Sequence, residues 1–286
     1  MNKDKYTDPN YIPDNNTASE IENLNRDKQD LSNFNLKGAQ LENIYLVNAS
    51  MKNCDFSKAN LENASMFGAN LVGSDFFKAN LENANLKNAN LEKCNLLGVN
   101  LSNTKLKNAN WGKGYKVINE IEAEEAFKKG DIETAKKKYR EAEDVYRAIK
   151  INLQSQTLGE DTGNFFIREM IARRKQFKKL SPLRIGSKII EITTGYGEKL
   201  SNIIFTIIGI ILICMILYGI EGVNYSDPIN GDRIISFFGD DIQKFGLLNT
   251  LGNLFYFSVV VYTTVGFGEI IPIGIIGKIV MMLEGI

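Results

Sequence analysis

Residues 76–96 read FFKANLENANLKNANLEKCNL, and a large apolar residue returns at every fifth position. The same phase runs outward in both directions. It includes Leu31, Leu36, Leu41, Leu46, Met51 and Phe56 on one side and Leu101, Leu106 and Trp111 on the other. Two positions before most of these stands a small residue, such as Ala39, Ala59, Ala79 or Ala89, with Cys54, Ser74 and Cys94 in the same register. A period of five matches neither the 3.6 residues of a helical turn nor the alternation of a strand. It suits a chain that turns a corner every five residues, with the large and the small residue pointing inward and the polar remainder facing water. The sixteen steps from Leu31 to Trp111 predict about four coils stacked at ~4.8 Å, a rod about 20 Å long. Each coil buries its apolar layer only against its neighbours.

Stacking lets the outward columns be read at a spacing of twenty. Asn43, Asn63, Asn83 and Asn103 form one column, consistent with an amide ladder or with turn-forming asparagines. Glu42, Glu62 and Glu82 form another, either an acidic strip facing a partner or a repulsion tolerated in water. Phe77 with Leu97, and Val47 with Phe67, form apolar pairs suited to docking a partner. The repeat resembles the pentapeptide repeat family, through AsnLeuGluAsn at 60–63 and again at 80–83. The resemblance implies a right-handed quadrilateral β-helix over 31–112 with about four repeats per coil. Some members of that family mimic DNA, which needs a strongly negative surface. Residues 31–111 carry eight Lys against four Glu and two Asp, so that role does not fit.

The 286 residues suffice for two or three domains. Lys plus Arg equals Asp plus Glu at 34 each, so the net charge points to no nucleic-acid partner. The chain has no His, which argues against imidazole metal sites and His-based acid–base chemistry. Cys54, Cys94 and Cys214 form no metal-binding or redox spacing and read as reduced packing residues. No acid–base, nucleophile or metal constellation appears, so the chain reads as a non-enzyme without a cofactor. The polar opening MNKDKYTDPN leads into no apolar core, so no cleavable signal peptide is expected. Residues 1–30 are expected to be disordered or to cap the stack.

Beyond the repeat, 113–182 reads as a helical linker. Ala123, Ala126, Phe127, Ala135, Tyr139 and Ala142 have helical spacing, interrupted at Gly130-Asp131, where Asp131 is suited to cap the next helix. The segment AFKKGDIETAKKKYREA resembles a single tetratricopeptide hairpin, too short to build a groove. GNFFIREMIARRKQ resembles the helical linkers found between pentapeptide repeats and ion-channel domains. Arg168, Arg173, Arg174, Lys175, Lys178, Lys179, Arg184 and Lys188 then form a basic cluster. It lacks the stacking aromatics of a nucleic-acid site and reads as the cytoplasmic flank of a membrane span. Residues 183–200 are juxtamembrane, with room for an interfacial turn or short amphipathic helix.

Ile203 to Ile220 has no charge and reaches ~27 Å as a helix, close to a bilayer core. An outer helix is therefore expected over 201–220, an acidic exterior loop over 221–248, and a short uncharged helix over 250–262. Next comes Thr263-Thr264-Val265-Gly266-Phe267-Gly268-Glu269, then a second apolar segment over 273–286. This order resembles the pore domain of two-transmembrane potassium channels, with TVGFG as the filter. The resemblance implies Thr264, Val265, Gly266, Phe267 and Gly268 as the selectivity filter, holding transient K+ at backbone carbonyls. Thr263 and Glu269 would stand at the pore mouth, Glu269 in place of a commoner aspartate. It further implies a homotetramer and a multi-pass protein of the plasma or inner membrane with a cytoplasmic N-terminus. A protein partner on the β-helix is open. Only eleven residues follow Ile275, about 16 Å of helix. The inner helix is thus partial, and the chain as it stands is expected not to conduct by itself. The alternative is a membrane-tethered scaffold with a vestigial pore.

Overall fold

In the repeat, each pentapeptide closes one turn. The Ala39 N–H donates to the Leu36 carbonyl (3.0 Å), Ala59 to Phe56 (2.9 Å) and Ala79 to Phe76 (2.9 Å). The third residue of each turn has positive φ, as at Asn43 (59°), Asn63 (58°), Asn83 (57°) and Asn103 (56°), which asparagine tolerates better than most residues. Two residues later the chain bridges in parallel to the residue twenty positions on, from Asn35 with Asp55 to Asn90 with Asn110. The computed structural model describes residues 3–156, 159–227, 231–265 and 268–285. They divide into two compact units, Met1–Glu191 and Ile192–Ile286.

The expected right-handed quadrilateral β-helix is corrected by this geometry. Residues 31–112 contain no strand: they are turns and loops joined by isolated bridges. Among the described residues the one sheet lies in the second unit and is open. The reason lies in the period. A corner every five residues leaves one bridging residue between turns, too few for a continuous ladder.

The stacked turns bury the whole inward phase, from Leu31 to Trp111. The Phe56 and Phe76 rings stack 4.9 Å apart. Polar members of the small column each bond a carbonyl 23 residues earlier: Cys54 to Leu31 (3.1 Å), Ser74 to Met51 (2.8 Å), Cys94 to Leu71 (3.0 Å) and Thr104 to Leu81 (2.7 Å). All three cysteines are free and buried. Burial pushes the Cys54 and Cys94 thiols up to about 12.

Both open ends of the stack are covered. At the start, α1 (Thr17–Arg26) and the segment before it bury Tyr6, Ile21 and Leu24 in the same core. There the Asn35 N–H donates to the Tyr6 carbonyl (2.7 Å) and the Tyr45 N–H to Glu22 (2.7 Å). At the other end, Asn152 and Gln156 donate to the carbonyls of Leu101 (2.5 Å) and Thr104 (2.6 Å). These bonds occupy edge groups that would otherwise template another chain.

Helices α2 (Ile118–Lys128), α3 (Ile132–Ser155) and α4 (Gly159–Lys175) complete the first unit. Asp131 caps α3, accepting from the Thr134 N–H at 3.0 Å. Ala123, Ala135 and Tyr139 pack α2 on α3. Among these helices Glu120 is buried, with Arg168 Nη2 at 2.5 Å and the Tyr146 hydroxyl donating to it. Burial, and then the Glu120 charge, raise the Tyr146 phenol above its ordinary range. Helix α5 (Pro182–Thr194) follows, with Arg174 and Glu191 paired between α4 and α5.

The second unit opens with α6 (Leu200–Glu221), then β1 (Val223–Asp227), β2 (Gly231–Ile235), α7 (Asp240–Phe245), α8 (Leu247–Tyr262), β3 (Ile270–Pro272) and α9 (Ile275–Glu284). β1 is the central strand, antiparallel to both β2 and β3. The segment expected to be an exterior loop thus holds two strands and α7, and α8 begins three residues before the expected 250. Its core gathers Tyr218, Leu254, Phe257, Val261, Ile270 and Val280.

Candidate functional site

The seven residues singled out by sequence lie between α8 and β3. At the α8 end the chain keeps its coil: the Thr263 N–H donates to the Val259 carbonyl (2.9 Å), Thr264 to Val261 (2.9 Å) and Val265 to Val260 (3.2 Å). The Thr263 hydroxyl returns to the Val259 carbonyl (2.8 Å) and the Thr264 hydroxyl to the Thr263 carbonyl (2.7 Å). Thr264 has φ 57°, the left-handed region that reverses the chain's course. Thr263, Thr264, Val265, Gly268 and Glu269 are all exposed. Gly266 and Phe267 lie outside the described residues.

At the far end the segment is tied to the sheet. The Ser226 N–H donates to the Glu269 carbonyl (2.8 Å), and β3 pairs with β1 from Ile270. The segment is therefore anchored at both ends, by the last turn of α8 and by the central strand. Behind it lies a cavity of about 330 Å³ lined by Tyr256, Val260, Thr264, Gly268, Glu269 and Met281. The structure brings Thr264, Gly268 and Glu269 to one cavity wall, and the Thr263 and Thr264 hydroxyls are taken up by carbonyls at the end of α8.

Two carboxyl groups organise the helices around this segment. Glu221, the last residue of α6, accepts from the Gly277 N–H and from the Ile276 N–H (3.3 Å) at the start of α9. A Cβ at Gly277 would sit 2.9 Å from Pro272 Cβ and 3.0 Å from Glu221 Oε2, so this glycine permits the approach. Glu284, near the end of α9, is buried and is bonded by the Ser258 hydroxyl from α8 and the Tyr218 hydroxyl (2.8 Å) from α6. The sequence reading assigned neither Glu221 nor Glu284 a contact. A carboxylate inside an apolar helix was the available signal.

Residues 233–286 match the family model described as ion channel. Residues 35–73 and 74–110 match that of the pentapeptide repeats, in eight copies. A pentapeptide-repeat region is fused to a channel-family domain. Similar solved structures include a pentapeptide repeat protein from the cyanobacterium Cyanothece 51142, at 45% identity over 31% of this chain and 60% of that one, TM-score 0.30. Another is HetL from Nostoc sp. strain PCC 7120, a pentapeptide repeat protein involved in heterocyst differentiation regulation. It is 33% identical over 29% of this chain and 38% of its own, TM-score 0.28. The chain thus spans less than two thirds of either relative. No curated protein matches.

The channel-family match is confined to residues 233–286, and no metal-binding cluster occurs among the described residues. Helix α6 is long and apolar enough to cross a membrane, and 17% of its apolar window is buried, unlike the core helix of a soluble protein. α8 is a shorter apolar helix. Together with the channel-family match, these helices give the protein a membrane location.

Proposed function

We propose that residues 201–286 form the pore-lining part of a potassium-selective channel subunit, with Thr264, Val265, Gly266, Phe267 and Gly268 as the filter. The observation that carries this reading is the channel-family match over 233–286, which contains α8, TVGFG and α9 in that order. Backbone carbonyls of such a segment replace the water shell of K+. The C-terminal end of α8 meets the segment, and a helix C-terminus carries partial negative charge that favours a cation. Thr263 and Glu269 flank the ion path. One chain supplies one such segment, which cannot enclose an ion, so four copies around an axis are required.

The first 200 residues are read as cytoplasmic, because the basic cluster from Arg168 to Lys188 precedes α6. Leu183, Ile185, Ile189 and Ile192 on α5 are exposed, which suits a helix lying against a bilayer surface. A protein partner for the repeat would find Phe67 exposed beside the half-buried Val47.

Helix α9 covers about 15 Å, so the test uses the chain with α9 lengthened by about 20 apolar residues, one span's worth. Vesicles carrying it should take up rubidium in preference to sodium. Gly268 has φ 74°, so Gly268→Ala should abolish uptake. Equal uptake by Gly268→Ala, or equal uptake of sodium, would overturn the reading.

A further inference from the structure

Residues 174–191 carry six cations, at Arg174, Lys175, Lys178, Lys179, Arg184 and Lys188, against one carboxylate, Glu191. A single oxygen of that carboxylate, Oε2, already meets both Arg174 of α4 and Lys188 of α5, the latter at 3.0 Å. Among the described residues no carboxylate forms an ion pair with Lys175 or Arg184. Arg184 bends back toward the turn between the helices, its Nη1 donating to the Phe177 carbonyl (2.9 Å). Burial, and then the positive charges of Arg184 and Arg174, hold the Lys175 amine below its ordinary range. Cations gathered this way favour an anion between them. The helix that carries Arg184 also has an apolar face. No residue of α5 is buried; Leu183 is 67% exposed, and Ile185 and Ile189, one turn apart, are exposed as well. Arg184 and Lys188 each stand one position before these isoleucines, so a cationic stripe borders the apolar one.

We propose that the elbow between α4 and α5 binds the phosphate headgroup of an anionic phospholipid through Lys175 and Arg184, with Leu183, Ile185 and Ile189 entering the acyl layer. The site rests on reading α5 as a helix against a bilayer surface, and it is independent of what residues 263–269 conduct. A free anion would answer the cations and leave the apolar stripe in water. A neutral lipid would cover the stripe and leave the positive charge uncompensated. An anionic phospholipid meets both, because its charge and its chains are joined in the order in which the two stripes lie. Guanidinium and ammonium groups on aliphatic stems reach headgroup level while their stems stay on apolar surface.

The test uses the full chain in neutral detergent, titrated with dioctanoyl phosphatidylglycerol, dioctanoyl phosphatidylcholine or inorganic phosphate, with amide exchange read over residues 175–191. Phosphatidylglycerol should slow exchange there, and the other two at the same concentration should not. Lys175→Gln combined with Arg184→Gln should raise the midpoint concentration of phosphatidylglycerol by about tenfold or more. Lys175→Gln alone keeps the Arg184 bond to Phe177 and should still weaken the lipid severalfold, so a loosened elbow is told apart from a lost charge. Ile185→Ser combined with Ile189→Ser should weaken the lipid with every cation in place. Equal protection by inorganic phosphate would make this a free-anion site and overturn the proposal. Equal protection by phosphatidylcholine would keep α5 on the bilayer and overturn the headgroup site. Protection by neither lipid would overturn both, and an unchanged midpoint in the charge variants would overturn the roles of Lys175 and Arg184. Exchange reads the lipid whether or not the chain passes rubidium, so a failure of ion uptake leaves this result standing.

Discussion

The two units of this chain solve opposite problems. In the repeat, apolar side chains fill the interior of the turns and polar ones face out; even its buried hydroxyls and thiols are absorbed by carbonyls one coil away. In the second unit the apolar residues of α6 largely face outward, and the carboxyl groups of Glu221 and Glu284 hold the helices together. Stability in the first therefore scales with apolar volume enclosed. Cohesion in the second depends on a few hydrogen bonds, because lipid offers apolar surface no reason to associate.

The largest expected effect follows from that difference. Phe76 is fully buried and stacked on Phe56, so Phe76→Ala should cost about 3–5 kcal/mol in denaturant unfolding of the first unit. Phe205 on α6 is 73% exposed, and Phe205→Ala in detergent should leave Tm of the second unit almost unchanged. Equal losses at the two positions would break the contrast.

The second expectation turns to the polar joints. Glu221→Ala removes a carboxylate that receives two N–H groups of α9, and a hydrogen bond to a charged group contributes ~1.5–3 kcal/mol. Tm in detergent should drop, with amide exchange quickening at Ile276 and Gly277. Gly277→Ala should give the same local loosening by pressing on Glu221 and Pro272. If exchange quickens elsewhere and not at these amides, the cap is not what holds α9.

How far the sequence could be read differs between the units for the same reason. The inward register from Leu31 to Trp111 was legible because five-residue spacing is itself the packing rule. The strands expected there were not found, since a list of inward residues does not say whether the outward one makes a ladder or a single bridge. The Glu column that left two readings open is quieted by amides: Asn60 donates to Glu42 (2.6 Å) and Asn100 to Glu82 (3.2 Å). The Asn column combines both of its readings, with positive φ throughout and an Asn103-to-Asn83 amide bond at 3.2 Å. The caps by Asn152 and Gln156 were invisible, lying about fifty residues from their partners. In the second unit, β1 and β2 are short and rich in Asn, Asp and Gly, which hides a strand. β1 meets β3 only after the chain has passed through α8. TVGFG was legible as a motif, but the joints of Glu221 and Glu284 depend on which helix faces which, and no local pattern encodes that.

A smaller effect separates buried thiols from ordinary ones. Cys94 is pushed up to about 12 by burial, whereas in the unfolded chain a thiol titrates near ~8.5. The folded value is raised, so this contribution is fully present below pH ~8.5 and is lost as pH rises toward 12. Between those limits each such thiol should remove about 1.4 kcal/mol per pH unit. Ser74 already makes the equivalent bond to the Met51 carbonyl, so Cys94→Ser should keep the packing and shallow the alkaline slope. Urea midpoints from pH 8 to 11 check this; an unchanged slope would mean the thiol is not sealed in the stack.

The smallest effect sits on the water-facing surface of the first unit, where a carboxylate caps a helix and is fully solvated. Asp131 accepts from the hydroxyl and the N–H of Thr134, which hold its carboxyl below the usual carboxylate range. The folded value is lowered, so its contribution is present above the unfolded value of ~3.9 and is lost as pH falls through the folded one. Asp131→Asn should therefore match the parent near neutral pH, since asparagine caps as well as aspartate, and lose less on acidification. Asp131→Ala should lower Tm slightly at neutral pH and converge with the parent in acid. Thermal melts of the parent, Asp131→Asn and Asp131→Ala over one pH series check this; an equal acid-side loss in the parent and in Asp131→Asn would mean that the carboxylate's charge contributes nothing at this cap.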